Sequence, residues 1–230
     1  MVEVIKERPI LFSALMVRAI LDVRKTQTRR VMKFQPPSSD YQLSRLMDTT
    51  DRTLRKHIGK LHWVKMDGLN IVDETPDYFL CPYGEIGDRL WIKETYCKHG
   101  ALISYKADDD WIAEYRKSSD FNVIDNPKWE PSIYMPRIAS RITLEITDIR
   151  VERLQDISED DAIKEGISKV PFRPDDGFPL CDGFMVGKDD GVSGLLASPI
   201  TAYKKLWESI NGKGSWDLNP WVWVIQFKRI

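Results

Sequence analysis

The sequence predicts an α+β fold in a single domain, built on a small barrel or curled sheet with helices packed around it. The first observation is a strand of period two, because Ile142, Leu144 and Ile146 alternate with polar residues, as in a half-buried strand. The second is the segment 221–227, which is apolar on both faces except at Gln226 and is typical of a buried strand. The third is a pair of amphipathic helices, and 230 residues with 42% hydrophobic side chains suffice for such a core.

The first 60 residues contain a predicted strand, a helix and a polar linker. The apolar run 9–12 predicts the strand. Ser13 is the expected N-cap of the helix, which ends at Asp22. Four apolar side chains form one stripe of this helix: Met16, Val17, Ile20 and Leu21. Residues 35–60 are expected to form a polar linker followed by a mixed helical stretch.

The middle of the chain predicts two strands separated by loops. Residues 87–94 have the composition of a turn that leads into a strand. The alternating strand near position 142 is expected to continue, through a bulge, to Leu154. The segments 108–110 and 117–132 are rich in Asp, Asn and Pro and predict loops.

A short helix and a longer one are predicted in the last third of the chain. Ser158 is expected to cap the short helix, with acidic residues in its first turn and Asp161 in the capping-box position. A long loop rich in Gly, Pro and Asp follows over 171–198. The longer helix begins at Pro199 and ends at 211–212, where Asn and Gly stand.

The charge distribution excludes a broadly basic nucleic-acid binder. The chain has 34 Lys and Arg against 35 Asp and Glu, a formal net charge of −1. Residues 1–60 carry 13 basic and 6 acidic residues, a net of +7, whereas 61–230 carry the remaining 21 and 29, a net of −8. Any basic surface must therefore come mainly from the first 60 residues.

The sequence also predicts a soluble cytoplasmic protein that does not enter a membrane. It has no apolar run of about 18 residues, and its first residues lack the apolar stretch of a signal peptide. The cysteines Cys81, Cys97 and Cys181 form no C-x-x-C pair, so reduced thiols are expected. The three histidines show no ligand spacing, and no metal or cofactor is expected.

The densest polar cluster spans 24–30 and contains two threonine hydroxyls and four cations. Such a cluster can hold a phosphate or the edge of a nucleobase. A lysine near a threonine hydroxyl is also an arrangement of base and nucleophile, provided that burial lowers the lysine pKa. The alternative is a solvated basic turn. The cations are Arg24, Lys25, Arg29 and Arg30.

Glu165 is the second candidate, because it stands in the last turn of the short helix, directly before Gly166. The negative end of the helix dipole disfavours an ionised carboxylate there by up to about 1 kcal/mol. This position suits a group that accepts a proton and returns it. The alternative is an exposed surface glutamate.

The order of these elements, together with the basic cluster, resembles the ASCH family, relatives of the PUA fold. The likeness is to the longer ASCH-like proteins common in bacteriophages and prophages. The family hallmark G-x-K-x-x-T-x-R is matched by Lys25, Thr28 and Arg30, while Val23 occupies the glycine position. The resemblance covers roughly half the chain and leaves three segments as insertions in one domain of common size: 31–80, 98–139 and 168–198.

The resemblance implies a PUA-like small β-barrel with peripheral helices, long inserted loops and a cleft lined by the hallmark. Small members of the family are amidohydrolases of N4-acetylcytidine, and their lysine, threonine and glutamate fall on Lys25, Thr28 and Glu165. The implied function is therefore the removal of an acyl group from a modified cytosine base. Thr28 is the expected nucleophile, Lys25 its activating base and Glu165 the proton shuttle. Arg24, Arg29 and Arg30 are expected to bind phosphate or stabilise an oxyanion.

Two other functions stay open. One is a module without catalysis that binds RNA or single-stranded DNA through the basic 1–60 segment and loop aromatics. The other is a metal-independent nuclease that uses the same cleft. The expected partners are accordingly a nucleoside, a nucleotide or a single-stranded nucleic acid, with no obligate protein partner.

Overall fold

A five-stranded mixed sheet carries the core of the protein. The computed structural model describes residues 5–99, 102–108, 128–172, 179–187 and 194–230. The strands are β1 (Glu7–Leu11), β2 (Gln27–Val31), β3 (Tyr41–Arg45), β4 (Leu61–Asp67), β5 (Asn70–Glu74), β6 (Arg89–Lys93), β7 (Tyr96–His99), β8 (Leu102–Tyr105), β9 (Thr143–Arg153), β10 (Ile167–Phe172), β11 (Cys181–Val186) and β12 (Trp221–Arg229). The helices of this part of the chain are α1 (Ala14–Leu21), α2 (Glu159–Lys164) and α3 (Pro199–Asn211). The predicted α+β class is confirmed.

The central sheet has the strand order β1-β6-β9-β12-β2. β1 and β6 are parallel, and the other neighbours are antiparallel. Trp223 and Ile225 of β12 belong to one core cluster, which includes residues of α1, whereas Val222 and Val224 belong to a second cluster with residues of α3. Both faces of β12 are therefore covered, which explains why the sequence of this strand does not alternate.

The predicted bulge lies in β9. Ile149 is opposite Ile225 and Asp148 is opposite Gln226, but the next residue of β12, Phe227, is opposite Ile146. Thr147 is therefore the extra residue of a β-bulge. The bulge keeps the apolar residues on both sides of it against the same core cluster.

The sheet does not close into the expected barrel within the described residues, where β1 and β2 are its two unpaired edges. The Phe12 ring lies between these edges, with its centroid 6.2 Å from that of Phe227 and 5.7 Å from Lys25 Nζ. Arg30 Nη2 crosses the gap and donates to the Leu11 carbonyl at 2.6 Å. Side chains thus fill the space that backbone hydrogen bonds would occupy in a closed barrel.

The expected long inserted loops contain small antiparallel sheets instead. The three sheets are β3-β4-β5, β7-β8 and β10-β11. The helical stretch expected within 35–60 is wrong, because β3 forms there and only the 3₁₀ turn Arg55–His57 is helical. The loop expected over 171–198 is likewise wrong at β11, which pairs with β10 from Ile167 onward. The predicted loops at 109–110 and 117–127 lie outside the described residues.

The predicted Ser158 cap of α2 is confirmed, and the structure adds a serine cap on α3. The Ser158 hydroxyl accepts a hydrogen bond from the Asp161 backbone N–H at 3.1 Å, and Ser198 caps α3 in the same way. α2 ends at Glu165, and Gly166 follows with φ 102°. A Cβ on Gly166 would lie 3.0 Å from the Ala19 Cβ, so glycine permits the close approach of α2 to α1. Ser13 is the N-cap of α1, although its side chain makes no capping hydrogen bond.

No helix in the described ranges combines the length and apolar character needed to cross a bilayer.

Val23 occupies the turn that ends α1, with φ 59°. The Arg24 N–H donates to the Ala19 carbonyl at 2.8 Å and the Val23 N–H to the Ile20 carbonyl at 3.0 Å. This pair of bonds is the Schellman motif, in which the left-handed position usually holds glycine. This turn reverses the chain so that Lys25 enters the interior, and it places Val23 in a conformation that glycine adopts without strain.

We expect Val23→Gly to stabilise the protein. A left-handed conformation costs an L-residue about 1–2 kcal/mol, whereas the greater freedom of glycine in the unfolded chain subtracts about 0.4–1 kcal/mol. Val23 is 73% exposed, so its side chain contributes little packing. A net gain of about 0.5–1 kcal/mol corresponds to a rise in Tm of roughly 1–4 °C. Val23→Ala, which keeps the strain of an L-residue, is the control, and a lower Tm for Val23→Gly than for Val23→Ala would contradict the assignment.

Candidate active site

The hallmark segment is clamped between the end of α2 and strand β12. The Thr26 N–H donates to the Lys164 carbonyl, and the Thr26 carbonyl accepts from the Phe227 N–H, both at 2.9 Å. Lys25 and Glu165 form a backbone bridge immediately before β2 begins. Thr28 follows within β2, opposite Ile225 of β12. Residues far apart in sequence thus fix the positions of the predicted lysine, threonine and glutamate.

Lys25 and Glu165 form a buried ion pair. Lys25 Nζ lies 2.7 Å from Glu165 Oε2 and also donates to the Glu165 carbonyl at 2.9 Å. Each residue is only 2% exposed, so the alternative of an exposed surface glutamate is wrong. Burial lowers the pKa of Lys25, and the neighbouring Glu165 carboxylate opposes this shift. The sequence interpretation of Lys25 as a base required burial to lower its pKa, and Lys25 is buried with its pKa shifted in that direction.

The Arg29 guanidinium forms hydrogen bonds with three carboxylates. Its Nη1 donates to Glu165 Oε1 at 3.1 Å, its Nε to Glu152 Oε1 at 3.0 Å and its Nη2 to Asp161 Oδ2 at 3.0 Å. The guanidinium side chain has no exposed surface. Every nitrogen of the Arg29 guanidinium thus bonds within the protein. Arg29 was expected to bind a phosphate, but in the structure it fixes the position of Glu165 instead.

Arg150 extends this set into a neutral cluster of three cations and three carboxylates. Its Nε donates to Glu152 Oε2 at 3.0 Å, and its Nη2 contacts Asp161 Oδ2. Buried charges are tolerated when they are paired and hydrogen-bonded, and here each carboxylate contacts at least two cations. We call this set the buried ion cluster: Lys25, Arg29, Arg150, Glu152, Asp161 and Glu165.

A cavity of about 130 Å³ borders the ion cluster. Among the residues predicted from the sequence, Thr28, Arg29, Arg30 and Glu165 line it. Lys25 is not part of this lining, but it contacts Glu165, which is. The cavity is therefore lined by residues that carry a hydroxyl, a carboxylate and guanidinium groups.

The other wall of the cavity comes from α3, through Tyr203 and Trp207. Both side chains are buried, and burial raises the pKa of Tyr203 well above its ordinary value. Sequence reasoning missed these two residues, because aromatic side chains four positions apart on an amphipathic helix are typical of core packing. The Trp207 indole N–H is buried and has no hydrogen-bond partner among the described residues.

The remaining predicted residues differ in position. Arg30 lines the cavity, and its buried Nε has no hydrogen-bond partner in the described ranges. Arg24 points elsewhere, since its Nη1 donates to the Gly166 carbonyl and to Ser168 Oγ, each at 3.0 Å. The Thr28 side chain makes no hydrogen bond to Lys25 in the structure as described. Of the three arginines, Arg30 is thus the one placed to contact a bound molecule in the cavity.

Comparison with protein-family models, with curated proteins and with solved structures gave no match to this chain. Its function therefore has to be argued from the chemistry of the cavity. Within the described residues, no group of three or more His, Cys, Asp or Glu side chains is arranged to hold a metal ion.

Proposed function

We propose that the cavity hydrolyses an amide bond on a modified nucleobase, with an N4-acylated cytosine as the substrate class. The observation that carries the proposal is that Thr28 lines the same small cavity as Glu165, whose side chain is buried. Lys25 and Arg29 hold the Glu165 carboxylate in place through ionic hydrogen bonds of 2.7 and 3.1 Å, respectively. A hydroxyl beside an oriented base is the arrangement needed for nucleophilic catalysis. The likeness of the 24–30 segment to the ASCH hallmark supports the same substrate class.

The proposed reaction has two stages. In the first, Thr28 Oγ attacks the acyl carbon while its proton passes to the Glu165 carboxylate. The C–N bond then breaks, and the base nitrogen leaves as an amine after taking this proton. In the second, water attacks the acyl-threonine ester, gives a proton to Glu165 and releases the carboxylic acid as Thr28 Oγ takes the proton back. The two stages consume one water and restore the protein.

Lys25 and Arg30 have supporting roles in this mechanism. Because burial lowers the pKa of Lys25, its Nζ can exchange a proton with Glu165, and the two act as one base. Arg30 carries a buried Nε–H with no hydrogen-bond partner in the described part of the chain. This N–H is suited to the oxyanion that forms when the hydroxyl attacks.

The size of the cavity limits what enters it. Small-molecule sites are usually about 300–1,000 Å³, and this cavity has about 130 Å³. It suits an acyl group and the adjoining amide, with the sugar and any phosphate left outside. The proposal therefore favours short acyl groups such as acetyl over long ones.

Incubation with N4-acetylcytidine, followed by chromatographic detection of cytidine, tests the proposal. We expect Thr28→Val, which keeps the shape but removes the hydroxyl, to lower kcat by at least about 100-fold. Thr28→Ser should retain most of the activity. Thr26→Val is the matched control, because Thr26 is the neighbouring threonine and does not line the cavity. Turnover that survives Thr28→Val, or cleavage of RNA in place of deacylation, would contradict the proposal.

A further inference from the structure

A second and larger opening lies between the β3-β4-β5 sheet and the central sheet. It has a volume of about 750 Å³ and shares no lining residue with the Thr28 cavity. Leu61 of β4 lines one side, and Ile149, Val151 and Trp223 of the central sheet line the other. We call this opening the groove. Its volume falls within the range of about 300–1,000 Å³ in which proteins bind small ligands or segments of larger ones.

The groove presents apolar side chains to solvent. Ile58, Leu80 and Ile86 belong to its lining and are 47%, 48% and 64% exposed, respectively. Single exposed apolar residues are common on protein surfaces, but three of them around one opening indicate a surface that contacts the apolar part of a ligand.

The loop beside the groove is strongly basic. Between β3 and β4, the segment 45–60 contains five Lys and Arg against two Asp, a net charge of +3. Arg45 and Ile58, near the two ends of this segment, both line the groove. The basic residues are Arg45, Arg52, Arg55, Lys56 and Lys60. Of these five, Arg45 lines the groove itself, together with Arg150 of β9 and one acidic residue, Glu85. The rest of the segment adds positive charge beside the groove, in a protein whose net charge is −1.

These five cations make no ion pair with any carboxylate in the described ranges, whereas the two buried cations, Lys25 and Arg29, do. The two acidic residues of the loop serve its backbone instead. Asp48 accepts a hydrogen bond from the Thr49 N–H, and Asp51 accepts one from the Thr53 N–H, both at 2.7 Å. The basic side chains of the loop can therefore form ion pairs with a negatively charged partner molecule.

We propose that the groove binds single-stranded nucleic acid, with bases against its apolar walls and phosphates along the 45–60 loop. A polynucleotide joins flat apolar bodies to regularly spaced negative charges, and the groove offers the complement of both. A single strand is required because the bases of a duplex are stacked inside and cannot reach apolar walls. Residues 61–230 carry a formal net charge of −8, so the basic 45–60 loop is the part of the chain next to the groove that favours a polyanion. This proposal is independent of the chemistry assigned to the Thr28 cavity.

Fluorescence anisotropy with a labelled 12-nucleotide single-stranded RNA tests the proposal through binding alone. We expect Arg55→Glu combined with Lys56→Glu to weaken binding by at least 10-fold. The slope of log K against log salt should also become shallower, by about 0.7 for each phosphate that the variant no longer neutralises. Both side chains are exposed, so the fold should tolerate the changes. Ile86→Ser should weaken binding by about 3- to 10-fold with an unchanged salt slope, because it removes an apolar surface on which a base packs.

Lys205→Glu combined with Lys213→Glu is the matched control, since it makes the same change of charge at exposed positions away from the groove. Equal weakening by the control pair would overturn the proposal, as would the absence of RNA binding at 50 mM salt. Tighter binding of an acidic peptide or of a duplex would overturn it as well. Anisotropy measures binding and needs no turnover, so a failure of the deacylation assay leaves this result unaffected.

Discussion

Glu165→Gln is expected to lower the free energy of unfolding by about 3–5 kcal/mol, because it leaves two cations without a shared partner in the interior. Glu165 contacts Lys25 and Arg29 together, at 2.7 and 3.1 Å, and all three side chains are at most 1% exposed. Arg29 keeps Glu152 and Asp161, but Lys25 is deprived of the one carboxylate with which it pairs in the described ranges. Urea unfolding followed by tryptophan fluorescence measures the change.

Lys25→Met is expected to cost less than Glu165→Gln, since it leaves Glu165 paired with Arg29. Adding Lys25→Met to Glu165→Gln should recover part of the stability, because it removes the buried ammonium group that Glu165→Gln leaves without a carboxylate partner. Equal destabilisation by the two single variants, or additive destabilisation in the double variant, would contradict the proposed arrangement.

The pH dependence of Glu165→Gln follows from the pKa of Lys25. Burial already lowers this pKa below 10.5 in the folded protein, and removal of the carboxylate lowers it further. The unfolded chain then binds more protons than the folded one between the lowered folded-state pKa of Lys25 and about pH 10.5, so stability rises with pH in this window. We expect the urea midpoint of Glu165→Gln to rise from pH 7 to pH 10 more steeply than that of the wild type.

Arg141→Met is expected to lower the free energy of unfolding by a similar amount, about 3–5 kcal/mol. Arg141 Nε and Nη2 donate to the two carboxylate oxygens of Glu94 at 2.9 and 3.1 Å, and the Glu94 side chain is 1% exposed. The same guanidinium binds Asp108 at 2.6 and 3.0 Å and lies 3.9 Å from the Tyr105 ring centroid. Removing Arg141 therefore leaves an unpaired charge in the interior and exposes the face of the Tyr105 ring.

Arg141→Lys is the matched variant, because it keeps the charge but lacks the planar fork and the stacking, and we expect an intermediate destabilisation. Burial raises the pKa of Glu94 even with Arg141 present, so the folded state binds more protons than the unfolded one above pH 4.5. Stability associated with Glu94 therefore falls as pH rises through its folded-state pKa. The deficit of Arg141→Met relative to the wild type should be larger at pH 8 than at pH 5, and a constant deficit would contradict the assignment.

The fold was predictable where one local pattern dominates. The alternation around Leu144 identified β9, the doubly apolar sequence identified β12, and the Ser158 cap identified α2. The small sheets were not predicted, because β5 shows no alternation of apolar and polar residues and the alternation in β3, where Tyr41 and Leu43 are the apolar residues, spans only five positions. Trp63 of β4 is 1% exposed because it packs against the central core, which a local pattern cannot reveal.

The candidate site was predictable in its chain positions but not in its pairings. The hallmark pointed to Lys25 and Thr28, and the helix end pointed to Glu165. The partners of Arg29 lie 123 to 136 positions further along the chain, and no spacing rule connects them. Asp161 was expected in the capping-box position, and its backbone N–H does donate to Ser158 Oγ, but its carboxylate binds Arg29 and Arg150. The local pattern thus predicted the Ser158 cap, whereas the distant partners of the Asp161 side chain could not be read from it.

The position of β2 in the sheet has a consequence for the protein during its synthesis. Its neighbour among the described strands is β12, and Thr28 is opposite Ile225, about 200 positions later. At about 5–20 residues per second, a ribosome needs roughly 10–40 seconds to travel that distance. Throughout this interval the nascent chain has a hallmark segment with no strand to pair with, so the cavity is expected to form only after translation has passed β12. The activity proposed for the cavity would then be absent from the nascent chain.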